Sequence, residues 1–279
     1  PIIAEKRPPH NQRFEDKRKS MEDRLLTGVI YAAILGQTWQ RTGKRWDGGI
    51  KTGRVSNAKE EFQMILGKND KLLFIGDSIS DYDRKKPVGE GLFNAWGTSY
   101  VADAGALLCC MYPELNLRIV NMGISGNQIR DLAERWQTDV LDQKPDHVSV
   151  LIGINDVWRQ FDSPQMTEQH VPLDEYEATY RKLIEKTLPT VKGMILMTPY
   201  FMEPNRNDPM RARMDEYGAV VRKLAEEYRL VFVDLQAGWD RLFEHLHPCN
   251  IAWDRIHPNQ TGCMYIAKQF LKAIGADRA

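Results

Sequence analysis

Five short, largely apolar runs constrain the fold of this chain more than any other feature. They lie at residues 72–75, 117–120, 148–152, 194–197 and 230–233. None alternates apolar and polar residues along its whole length. A strand with one face in water alternates, whereas a strand covered on both faces does not. Stretches with helical spacing fall between the runs. One is predicted around 93–111. A second spans 127–141, with Ile129, Leu132 and Trp136 on one face. A third carries Tyr176, Tyr180, Leu183, Ile184 and Thr187, with Asp174 as its expected cap. Met214, Tyr217, Val221, Leu224 and Tyr228 mark a fourth. Helices around 239–246 and 260–274 complete the pattern. Strands that alternate with helices of this length predict βαβ units and one parallel sheet. The expected fold is a three-layer α/β/α sandwich around five parallel strands.

Composition narrows the function. The chain has 279 residues and zero formal net charge. Residues 1–60 hold 13 Lys/Arg against 7 Asp/Glu, so the remainder is mildly acidic. That argues against a nucleic-acid partner, which a basic surface would serve. Cys109, Cys110, Cys249 and Cys263 form no CxxC or Cys/His array, so neither a zinc site nor a disulfide framework is expected. The same usage fits a reducing compartment, here read as the cytoplasm. The apolar stretch at 25–36 is too short to span a bilayer and lacks the flanks of a secretory leader. No membrane partner is expected. Residues 1–63 show weak periodicity and read as a basic, poorly ordered extension before a domain at 64–279.

In a parallel sheet, chemistry collects beyond the carboxyl ends of the strands. Four segments draw attention. Gly76-Asp77-Ser78 follows the first run, and Asn121 to Asn127 follows the second. Gly153-Ile154-Asn155-Asp156 follows the third, and Asp254-Arg255-Ile256-His257 precedes the last helix. Each alone is an ordinary turn or cap. Together they supply the parts of acyl transfer. A hydroxyl needs a base to become a nucleophile. Imidazole can serve, if a carboxylate fixes its tautomer. The tetrahedral intermediate needs donors already aimed at its oxyanion. Ser78 can be the nucleophile, His257 the base and Asp254 its orienting partner. The backbone N–H groups of Ser78 and Gly126 and the Asn155 side chain can form the oxyanion site.

These segments resemble the four sequence blocks of the SGNH, or GDSL-type, serine hydrolases. The resemblance implies that Ser78, Asp254 and His257 are the triad and that Gly126 and Asn155 line the oxyanion hole, with Gly123 as fallback for Gly126. Residues 71–80, 119–131, 152–160 and 253–258 are similar to a bacterial intracellular acetylxylan-esterase branch. That similarity runs from about residue 64 to 279. It implies removal of acetyl groups from xylan-derived sugars, no cofactor and no metal, and makes a homo-oligomer plausible.

Other residues carry weaker expectations. Asp77, Trp158 and Trp253 are candidate substrate contacts. For Asp77 a structural role in the turn is the stronger reading, and for the tryptophans core packing competes. Asp156 is expected to brace the Asn155 loop and Arg255 to form an ion pair. His245 and His247 are expected to cap or face solvent. The rival motifs GxSxG, GxxxxGK[ST], GxGxxG and HExxH are absent from the chain. A longer-chain lipase or lysophospholipase, an acyltransferase, and a module that binds acylated sugar without turnover remain the alternatives.

Overall fold

The computed structural model describes residues 64–276. The expectations for residues 1–63 lie outside these. Five strands form the sheet: β1 (Lys71–Gly76), β2 (Arg118–Asn121), β3 (His147–Leu151), β4 (Gly193–Met197) and β5 (Val231–Val233). Their order is β2-β1-β3-β4-β5, and all neighbours run parallel. Every residue of β1 and β3 is buried, which is why neither run needs to alternate. Side chains such as Leu73 and Val150 have no solvent exposure. Truncating a leucine in such a place costs about 2–5 kcal/mol.

Eight α-helices cover the sheet among the described residues: α1 (Ser78–Asp81), α2 (Tyr100–Met111), α3 (Ile129–Trp136), α4 (Ile154–Asp162), α5 (Leu173–Thr187), α6 (Pro209–Tyr228), α7 (Leu235–Leu242) and α8 (Gln260–Ala273). Helices α2 and α8 pack together, with α1 and α7 against them, while α3 packs on α5 and α6 on both α4 and α5. The sheet thus carries helices in two groups, as the sequence pattern predicts.

Several boundaries differ from the expectation, each for a local reason. The helix expected from residue 93 begins at Tyr100. Ser99 caps it by accepting the Val101 N–H at 3.2 Å, and Phe93 and Asn94 adopt left-handed φ values of 59° and 57°. Asp174 is not the cap of α5. Pro172 precedes that helix and Asp174 sits in its first turn, where a carboxylate favours the helix dipole. Helix α6 starts earlier than its apolar face, because Asp208 caps it at Arg211 N–H, 3.0 Å, and Pro209 suits the first helical position. Asp234 likewise starts α7 four residues early. The helix expected over 127–141 ends in a wider π-helical turn at Gln137–Leu141. Helix α4 opens where the sequence reads as a turn after β3.

β1 lies between β2 and β3, so the chain leaves it toward one neighbour and returns to the other. This is the switch point of the sheet, where a crevice opens at the carboxyl ends. Ser78 stands two residues beyond the end of β1 at that point.

Candidate active site

Ser78 is the first residue of α1. Asp77 caps this short helix by accepting the Ile79 N–H at 2.9 Å, and left-handed Tyr82 ends it. Ser78 is therefore held at the end of a buried strand with little freedom of its own. Its Oγ lies 2.8 Å from Nε2 of His257. Nδ1 of the same ring lies 2.6 Å from Oδ2 of Asp254. The other oxygen of Asp254 accepts the backbone N–H groups of Ile256 and His257 at 3.0 and 2.9 Å. Burial pushes the Asp254 carboxyl up, but the hydrogen bonds from the His257 ring and these two amides outweigh it and hold the group below the usual carboxylate range. An ionised Asp254 places the proton on Nδ1 and leaves the Nε2 lone pair for the serine hydroxyl.

The loop that carries His257 is seated from two sides. Tyr82, at the end of α1, donates its hydroxyl to the Pro258 carbonyl at 2.7 Å. Met202 N–H reaches the Arg255 carbonyl at 2.9 Å. The expected ion pair of Arg255 forms with Glu203. Trp158 stands edge-on to His257, with ring centroids 6.1 Å apart, and the Arg159 guanidinium lies 4.7 Å above the indole. Trp253 is 86% exposed, so the core-packing reading fails for it. His247 caps the short 3₁₀ turn Pro248–Asn250, as a capping role predicts. Among the described residues no cluster of His, Cys, Asp and Glu could hold a metal ion.

The segment after β2 settles into place around its glycines. The Gly123 N–H is taken by Asn121 Oδ1 at 2.9 Å, and its carbonyl accepts Arg84 Nε at 2.6 Å. A Cβ on Gly123 would sit 2.5 Å from the Asp81 nitrogen. Gly123 is thus a packing residue with no N–H to offer. Gly126 has a left-handed φ of 84°, and a Cβ there would meet nothing within 4 Å. Ser125, just before it, donates its N–H and hydroxyl to Asp81 Oδ2, each at 3.0 Å. Asn155, buried at the start of α4, donates one amide hydrogen to the Asn127 carbonyl at 3.0 Å and accepts from Arg159 at 3.4 Å. Its second amide hydrogen is left for another acceptor.

Two acids lie under the site. Asp77, next to Ser78 in the chain, is fully buried, which corrects the expectation of a substrate contact. Asp156 is also fully buried and accepts the Ile129 N–H at 2.9 Å, bracing α4 against α3. One oxygen of each has no hydrogen-bond partner. Burial, with help from the charge of Asp156 for Asp77 and of Asp131 for Asp156, pushes both carboxyls up to about 7. Sequence reasoning missed Asp81, Tyr82 and Arg84, because a tyrosine or a charged residue in or just after so short a helix gives no periodic signal.

Known proteins share this arrangement of sequence and fold. Residues 74–263 match the model of the GDSL-like Lipase/Acylhydrolase family. An acetylxylan esterase from Geobacillus stearothermophilus is 57% identical over 212 residues, covering 76% of this chain and 97% of that protein. The crystal structure of that esterase, Axe2, aligns over the same shares of the two chains with a TM-score of 0.75. Its solved structures include catalytic mutants in which a serine, a histidine or an aspartate is replaced by alanine. LAE5, a hydrolase from the metagenome of Lake Arreo, Spain, is 55% identical, covers 78% of this chain and all of that one, and has a TM-score of 0.76. With the family match spanning most of the chain, and relatives this similar over nearly their whole lengths, the chain belongs to the GDSL-like lipase/acylhydrolase family.

Proposed function

We propose that this protein is a serine esterase that removes acetyl groups from carbohydrate, with xylan-derived oligosaccharides as its substrate class. The observation that carries the reading is the 2.8 Å approach of Ser78 Oγ to His257 Nε2, with Asp254 2.6 Å behind the ring. The acetylxylan esterase that the chain resembles supports the substrate class.

In this reading Ser78 Oγ attacks the acetyl carbonyl carbon while His257 Nε2 takes its proton. The carbonyl oxygen becomes the oxyanion and receives the N–H groups of Ser78 and Gly126 and the free amide hydrogen of Asn155. Collapse breaks the ester bond. The leaving sugar oxygen takes the proton from His257, and acetyl stays on Ser78. Water then enters, gives its proton to His257, attacks the acyl carbon and releases acetate. Ser78 recovers the proton from the imidazole. Asp254 stays ionised throughout and stabilises the imidazolium. Trp158 and Trp253 serve as the proposed acyl and sugar contacts. The reading includes a cytoplasmic location, which the four cysteines, all free, support. It also includes a homo-oligomeric state, which light scattering of the purified protein checks. Among the described residues no helix is long and apolar enough to cross a membrane.

The test is hydrolysis of acetylated xylo-oligosaccharides beside aryl esters of increasing acyl length. Acetate release that is lost in Ser78→Ala supports the proposal. Full activity in Ser78→Ala, or a preference for long acyl chains, defeats it.

A further inference from the structure

Arg135 lies at the end of α3, with 13% of its side chain exposed. Every nitrogen of its guanidinium is engaged. Nε donates to Asn127 Oδ1 at 2.7 Å. Nη1 donates to the Met122 carbonyl at 2.7 Å and to Asp139 Oδ2 at 2.8 Å. Nη2 donates to the Gly76 carbonyl at 3.0 Å. Only the bond to Asp139 is an ordinary pair along the helix.

The other three partners belong to the segments that would hold the oxyanion donors. Gly76 ends β1, two residues before Ser78. Met122 and Asn127 bracket the turn that presents Gly126. The Asn127 carbonyl in turn accepts the Asn155 amide at 3.0 Å, which orients that side chain. One planar cation therefore ties together the carriers of all three donors. Arg84 offers a useful contrast. It binds the Gly123 carbonyl, but its other bonds go to Lys85 and Pro87 in its own loop. It fixes one segment, whereas Arg135 fixes the spacing between segments. The fork of a guanidinium can do this in several directions at once, and an ammonium cannot.

We infer that Arg135 is a positioning residue that sets the Ser78, Gly126 and Asn155 donors in register for the oxyanion, through Gly76, Met122 and Asn127. This rests on the esterase reading above. Arg135 itself touches neither substrate nor a reacting atom.

The test is a double-mutant cycle with 4-nitrophenyl acetate as substrate. Arg135→Met, Asn155→Ala, the double variant and Arg135→Lys are compared with the parent for kcat, KM and melting temperature. If the donors lose their register, kcat falls about 10²-fold in Arg135→Met, with KM within about twofold, as for loss of one oxyanion donor. In the Asn155→Ala background the same change then costs clearly less than in the parent, because the part of its effect that runs through Asn155 is already lost. Arg135→Lys keeps the charge and the helix pair and falls nearly as far as Arg135→Met. A multiplicative loss in the double variant, a kcat within about threefold of the parent in either single variant, or a loss that follows melting alone overturns the inference. Ser78→Ala run alongside separates the two readings. If it stays active the esterase proposal fails, and if it is dead while the Arg135 variants match the parent only the positioning role fails.

Discussion

The ring of His257 and the carboxylate of Asp254 meet at 2.6 Å across a single turn, and the same turn feeds two backbone N–H groups into the second carboxylate oxygen. The carboxylate is thus both an orienting partner and the knot that shapes the loop. Asp254→Asn keeps an oxygen for the two amides, so the loop should survive. It loses the charge that stabilises an imidazolium and can impose the wrong tautomer. We expect kcat to drop by on the order of 10⁴, the size seen when this exchange is made in other Ser-His-Asp sites, with a melting temperature within a few degrees of the parent. The pH profile adds a check. The depressed Asp254 carboxyl contributes stability above the ordinary value of 3.8, and this is lost as pH falls through its lowered value. Activity should therefore show no acid limb from Asp254 in mildly acidic buffer. Retention of more than about a tenth of parental kcat in Asp254→Asn would rule out this role.

The sheet and the four chemical segments were legible because their signals are local. Leu72 to Ile75 needs no partner to announce a covered strand, and Asp254 sits three residues from His257. The boundaries of α2 and α6 were not legible from apolar spacing, since Ser99 and Asp208 set them through single hydrogen bonds. The different packing of Gly123 and Gly126 required coordinates. Both precede polar turns, and only the approach of Ser80 and Asp81 shows which one is packed. Arg135 was hidden for the same reason. On an amphipathic helix an arginine reads as solvent-facing, and its three carbonyl and amide partners come from two other segments.

Asn155 offers one amide hydrogen to the Asn127 carbonyl and leaves the other for a further acceptor. In the mechanism proposed above, Asn155→Ala deletes a donor whose value lies in the transition state. The expected loss is about 10²–10³ in kcat, or about 2.7–4 kcal/mol, with little change in KM. Steady-state kinetics on an acetyl aryl ester measures both. An unchanged kcat with a raised KM would instead assign Asn155 to ground-state binding.

The two glycines should respond differently to a methyl group. Gly123→Ala drives a Cβ to within 2.5 Å of the Asp81 nitrogen and 2.7 Å of Ser80, so α1 must shift and Ser78 with it. Overpacking of this kind costs about 1–3 kcal/mol. Gly126→Ala meets no atom within 4 Å, but its φ of 84° strains an alanine by about 1–2 kcal/mol. Gly123→Ala should show the larger fall in melting temperature and a deeper loss of kcat, because it moves Ser78, the proposed nucleophile. Gly126→Ala should keep its backbone donor and lose less. Thermal melts with parallel kinetics decide, and the reverse order would return the oxyanion role to Gly123.

Asp156 gives the protein a predicted pH signature that lies outside the triad. Burial pushes its carboxyl from 3.8 to about 7, while the Ile129 N–H only partly offsets the cost. In the unfolded chain the group ionises near its ordinary value, so between about 4 and 7 the folded state holds more protons. Stability should therefore fall as pH rises across that window and level off above it. A shift of this size is worth roughly 4 kcal/mol at its limit. Asp77 adds a similar slope, and the charge of Asp156 helps to raise it. The Asp156→Asn variant keeps an oxygen for the Ile129 N–H and cannot ionise. Its new amide leaves a donor where Oδ2 had no partner, a cost of about 1–3 kcal/mol that does not depend on pH. The variant should thus compare poorly with the parent at pH 5 and gain on it at pH 8, by about 2–3 kcal/mol between the two. Urea unfolding at both pH values measures that difference directly. An equal gap at pH 5 and pH 8 would mean that Asp156 is ionised in the folded protein already at the lower pH, with a charge partner beneath the site.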